Sequence, residues 1–216
     1  MKKFEQELEN LKRRVMEMGQ TAEEMVALST AALIERDASA MERVLANEAT
    51  LDRFQLEIDG EAVRLITIYT PIAKDLRFLL MVARINAELE RIGDQAVNNC
   101  EYIQTLSSFT PASPIGDLAK MSDITRGMVR DALAAFEQED LEKAQLVLKS
   151  DDEVDQLYSQ TFTDLLEDKA DDADRVGRSM NLILVARSVE RIADHATNIC
   201  EEVIYMVNSE DVRHKH

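Results

Sequence analysis

Apolar residues recur along the start of the chain at alternating spacings of four and three: Phe4, Leu8, Leu11, Val15, Met18, Ala22 and Met25. That is a sustained stripe on one face of a long amphipathic helix. Asp37 is placed to cap the stretch after it, and a break or bend is expected there. A second helix is predicted from about Asn47 to Tyr69. Thr70-Pro71 ends it, because a residue before proline is driven out of the helical region. A third runs from about Lys74 to Leu106. Farther along, the same periodicity predicts helices over 115–138, 140–169 and 172–208. Ser150, with Glu153 three residues on, reads as a capping box and predicts a break in the fifth. Only 6 Gly and 3 Pro punctuate the chain, so the fold class is all-α.

The later helices repeat the earlier ones. Glu90-Arg-Ile-Gly-Asp94-Gln-Ala-Val-Asn98-Asn-Cys100-Glu101 returns as Glu190-Arg-Ile-Ala-Asp194-His-Ala-Thr-Asn198-Ile-Cys200-Glu201, with eight of twelve positions identical at an offset of 100 residues. A weaker match relates 37–52 to 140–155 at an offset of 103. The chain therefore reads as a duplication. Its halves are 1–109 and 115–216, and the seam is Thr110-Pro-Ala-Ser-Pro114. Three helices with short connections bury their stripes as an antiparallel bundle. Two such bundles side by side are expected, with one long six-helix bundle as the alternative.

Rotation of about 100° per residue puts Ile85, Leu89, Ile92, Ala96 and Ile103 on the core face of the third helix. Glu90, Asp94 and Glu101 then lie together on the opposite side, flanked by Asn98. The last helix repeats this with Glu190, Asp194 and Glu201, flanked by Asn198. Two like charges at i, i+4 cost a few tenths of a kcal/mol. Arg91 and Arg191 are placed to offset part of that, so an ordinary solvated acidic face is the plain reading of any one pair. The middle helices carry further pairs, however: Glu48 with Asp52, and Asp151 with Asp155 at the offset of 103. If the helices of each half are neighbours, four carboxylates converge in each. Such oxygen donors suit magnesium, manganese, calcium and iron. A surface site is expected, because the rows face away from the core and the Glu-x-x-His spacing of buried di-iron bundles is absent.

Charge narrows the partners. The chain has 25 basic and 42 acidic residues, a net −17. Nucleic acid and anionic membrane surfaces repel such a chain, whereas cations and basic protein surfaces suit it. No segment approaches a membrane span and the first residues lack the apolar run of a signal peptide, so a cytoplasmic location is expected.

The runs ERIGDQAVNN at 90–99 and VARSVERIADHATNICEEVIYMV at 185–207 closely resemble the PhoU family. The resemblance extends over essentially the whole chain. It implies two similar three-helix bundles with multinuclear iron or zinc clusters on their surfaces, manganese or magnesium being alternatives. The clusters are held by motifs of the form E/D-x-x-x-D, which here are Glu48–Asp52, Glu90–Asp94, Asp151–Asp155 and Glu190–Asp194. Asn98 and Asn198 share those arcs and are added to the set. The resemblance also implies a regulator, not an enzyme. It would restrain phosphate uptake and the phosphate-starvation response by contacting the ATPase subunit of a phosphate ABC transporter and a sensor histidine kinase. A homodimer is implied too, with membranes reached only through partners.

Competing chemistry has little support. No Gly-rich phosphate loop or nucleophile motif occurs, although the same carboxylates around a metal-bound water would suit a metal-dependent phosphoester hydrolase. Cys100 and Cys200 border the core face and read as small buried hydrophobes. His195 stands on the polar side of its helix, where the first half has Gln95. His214 and His216 lie in a tail where they could take up stray metal.

Overall fold

Sustained apolar stripes interrupted by few helix breakers give six helices in a computed structural model, which describes residues 2–35, 37–109, 116–167 and 173–209. They are α1 (Lys2–Glu35), α2 (Ala38–Tyr69), α3 (Ala73–Leu106), α4 (Gly116–Gln138), α5 (Leu141–Glu167) and α6 (Ala173–Asn208). The predicted seam at 110–114 and the histidines at 214 and 216 lie outside the described residues. Leu11, Val15, Met18, Ala22 and Met25 are all buried, as the spacing of the first stripe requires. Among the described residues no helix is long and apolar enough to cross a membrane.

Two boundaries differ from those read in the sequence. α2 starts at Ala38, well before Asn47, because Ala40 and Val44 continue the buried stripe of Leu51, Ile58 and Leu65. The Asp37 carboxylate accepts from the Ser39 amide at 2.9 Å and caps it. α5 runs unbroken through Ser150, whose hydroxyl donates to the Leu146 carbonyl inside the helix and caps nothing. The cap of α5 is Asp140, which accepts from the Lys143 amide at 3.0 Å. Asp37 and Asp140 thus do the same work in the two halves. Asp140→Ala is expected to cost about 1 kcal/mol, read as a lowered midpoint in urea denaturation.

α1, α2 and α3 pack against one another, and so do α4, α5 and α6. The two bundles then join through α3 against α6 and α1 against α4, and their buried side chains form one continuous core. Arg77 donates to the Met206 carbonyl, Arg84 pairs with Glu202 and Glu88 meets His195. Partner numbers fall as α3 numbers rise, so α3 and α6 are antiparallel. That register brings Ile92 level with Ile192, its equivalent in the repeat, and both are buried.

Side chains from one half enter the other along this seam. A Cβ on Gly19 of α1 would lie 2.3 Å from Leu133 Cδ2 of α4, so any larger residue there would force the Leu133 side chain to move. Phe136 of α4 stacks on Phe78 of α3, with centroids 6.3 Å apart, and Lys12 of α1 lies over its ring.

Candidate functional site: two acidic rows beside one seam

In each half the acidic stretches fall on the two helices that form a hairpin, α2 with α3 and α5 with α6. Packing those helices together brings the i, i+4 pairs into one another's field. In the first half the charges of Asp52, Asp94 and Glu101 act on Glu48, and those of Asp94 and Asp52 act on Glu90. In the second, Asp155, Asp194, Glu190 and Asp152 all act on Asp151. Glu48, Glu90, Asp151 and Glu190 are half-buried, whereas Asp52, Asp94, Asp155 and Asp194 are exposed. The rows lie at the protein surface, between helices.

Repulsion and partial burial act in the same direction here. Burial first, then neighbouring acids, pushes the carboxyls of Glu48, Glu90, Asp94, Asp155, Glu190 and Asp194 above their ordinary values. Asp151 is pushed furthest, to about 7. Arg191 relieves Glu190 and Asp194 in part. Arg91 does not serve Asp94 in the way its spacing predicts. Its guanidinium instead donates to Glu88 at 2.5 Å, one turn back along α3.

These donors fit an oxygen-seeking cation. Asp151 Oδ1 is buried and has no hydrogen-bond partner, an acceptor whose desolvation nothing on the protein offsets. The rows supply carboxylate oxygens, the ligand type preferred by hard divalent cations and by iron. As the side chains stand, no three His, Cys, Asp or Glu among the described residues are gathered closely enough to hold a metal ion. The exposed members must turn inward to do so, and surface rotamers exchange in picoseconds to nanoseconds.

Glu88, which no pattern in the sequence singles out, stands between the rows. It is buried, and its carboxylate meets His195 Nδ1 at 2.8 Å and accepts from Asn198 Nδ2 at 3.0 Å, both on α6. Burial alone would raise its carboxyl. The hydrogen bonds of His195 and Asn198, with the charges of His195 and Arg91, outweigh that and hold it below the usual range. The amide nitrogen of Asn198 is thus committed across the seam. Asn98 is half-buried one turn beyond Asp94. The one trace of this contact in the sequence is a departure from the repeat: His195 and Glu88 stand where the other half has Gln95 and Ser188. Cys100 and Cys200 are buried, and burial raises both thiols, Cys100 to about 11.

The chain matches the PhoU domain model twice, over residues 15–103 and 118–203. A phosphate-specific transport system accessory protein PhoU homolog of Aquifex aeolicus is 37% identical over 216 residues, which is 100% of this chain and 97% of the relative. The protein of that name in Clostridium acetobutylicum is 33% identical, over 97% of this chain and 96% of its own. Among solved structures, PhoU of Pseudomonas aeruginosa superposes with a TM-score of 0.91 at 31% identity, covering 96% of this chain and 100% of that one. The phosphate transport system regulatory protein PhoU of Streptococcus pneumoniae gives 0.89 at 25% identity, covering 97% and 99%.

Proposed function

Because the chain belongs to the PhoU family and carries its domain twice, we propose that it is a cytoplasmic regulator that restrains phosphate uptake and the phosphate-starvation response. It acts by contact with the ATPase subunit of a phosphate ABC transporter and with a phosphate-responsive sensor histidine kinase, and it works as a homodimer. The observation that carries this reading is the full-length match to relatives named as accessory proteins of a phosphate-specific transport system. The net charge of −17 supports basic protein partners and disfavours nucleic acid.

The metal part of the proposal rests on the two carboxylate rows for the site and on the family resemblance for the choice of iron or zinc. Iron or zinc, or else manganese or magnesium, is held by Glu48, Asp52, Glu90 and Asp94 in the first row and by Asp151, Asp155, Glu190 and Asp194 in the second, with the carbonyl oxygens of Asn98 and Asn198 completing the sets. Bound metal supplies positive charge that relieves the repulsion within each row, and it offers a phosphate group a partner that bare carboxylates cannot. The protein's own residues position the donors and keep their charges close together.

Co-purification from the protein's own cells, grown phosphate-replete and phosphate-starved, tests the regulator reading. Recovery of a phosphate-transporter ATPase or a sensor kinase, in amounts that change with phosphate, is expected; recovery of neither in both conditions would overturn it. Elemental analysis of untagged protein tests the metal. Stoichiometric iron, zinc or manganese, lost in a D94A/D194A variant, is the expected result.

A further inference from the structure

We infer that the two acidic rows are unequal cation sites: the second, on α5 and α6, takes up a divalent cation before the first, and Glu88 of the opposite half is the positioning residue that makes it so. The inference rests on the metal reading above. Two independent geometric differences carry it. The first is Asp151 Oδ1, the one carboxylate oxygen among the described residues that is buried without a hydrogen-bond donor. A cation entering the second row gains a ligand already stripped of water, whereas Glu48, its counterpart, has no oxygen so placed.

The second difference is the bracing of α6. His195 adjoins Asp194, and Asn198 lies one turn beyond it on the same arc. Both are held by the buried Glu88 carboxylate, at 2.8 and 3.0 Å. The repeat breaks here. Ser188 stands where Glu88 would have to recur, and its short neutral hydroxyl offers neither the two oxygens nor the negative charge of a carboxylate. Gln95 replaces the histidine. The α3 side of the first row therefore has no equivalent brace. Arg91, beside Glu90, gives its hydrogen bond to Glu88, so it stiffens the brace of the second row and reaches the first only through the charge it places near Glu90. A donor set held before the cation arrives binds more tightly than one that must be ordered on binding. Groups that orient ligands from behind typically contribute 10–100-fold in metal affinity.

Calorimetric titration of the metal-free, full-length protein with Mn2+ reads this directly. Wild type is expected to show a tight and a weak phase. E48Q/D52N keeps the tight phase, and D151N/D155N keeps only the weak one. E88Q weakens the tight phase about tenfold and leaves the weak phase where it was, a split that general loosening of the fold would not produce. H195Q, which installs the residue of the first half, weakens the same phase and serves if E88Q folds poorly by circular dichroism. Two phases of equal affinity, or a tight phase that survives D151N/D155N, would overturn the inference while leaving the metal reading intact. No Mn2+ binding by wild type would remove both.

Discussion

Phe136→Ala is expected to lower the stability of the protein by about 3–5 kcal/mol and its thermal midpoint by roughly 10 °C. The ring is fully buried, and its neighbours come from the other half of the chain: Phe78 stacks on it and Lys12 lies over its face. Truncation removes the transfer energy of a large side chain, leaves a cavity where α1, α3 and α4 meet, and deletes an aromatic pair worth about 1 kcal/mol. Because the core is continuous across both halves, wild type should unfold in one transition, with circular dichroism and tyrosine fluorescence changing together in urea. The variant should shift that transition as a whole. A loss below about 1 kcal/mol, well under the usual range for truncating a core aromatic, would mean that the seam collapses around the missing ring and that the halves do not depend on it.

The second expectation concerns pH. Metal-free protein should be less stable at pH 8 than at pH 5.5. Asp151 has its carboxyl at about 7 in the folded chain, against an unfolded value near 4. Between these values the native state holds a proton that the unfolded chain has released, so stability is gained as pH falls through 7 and lost as it rises. Taken at face value the displacement is worth about 4 kcal/mol. Asp151 is only half-buried, and solvent screening reduces this to roughly 2 kcal/mol over the whole interval, of which about half falls between pH 5.5 and 8. The raised carboxyls of Glu48, Glu90, Asp94, Asp155, Glu190 and Asp194 act in the same sense. Glu88 acts oppositely, because its carboxyl is held low and its contribution disappears only in stronger acid. Thermal melts in chelator from pH 5.5 to 8 read the slope. D151N should flatten it and raise the midpoint at pH 8. An unchanged slope in D151N would assign the effect to other groups.

What could be read in the sequence, and what could not, divides by distance along the chain. The stripe from Leu11 to Met25, the stop at Thr70-Pro71 and the cap at Asp37 are local patterns, and the helices obey them. The duplication is visible because Glu90–Glu101 and Glu190–Glu201 still match, and it leads directly to acidic pairs on paired helices. Ser150 misled because Ser-x-x-Glu has the same spacing inside a helix as at its start; burial of Val147 and Val154 on either side carries α5 through. The brace at Glu88 joins residues 107 and 110 positions apart. No periodicity reports such a contact. Its trace was a departure from the repeat, Glu88 against Ser188 and Gln95 against His195, and it is legible only once α3 is known to lie on α6.

The meeting of α3 with its own repeat equivalent, antiparallel and level at Ile92 and Ile192, has a consequence for ancestry. It is the seam that two identical copies of a single repeat would form about a two-fold axis. Joining such copies in one gene keeps the geometry but releases each half from having to mirror the other. A pair of identical subunits with glutamate at 88 and histidine at 95 would make the brace twice or not at all. The fused chain makes it once, and its descendants can alter one half without altering the other.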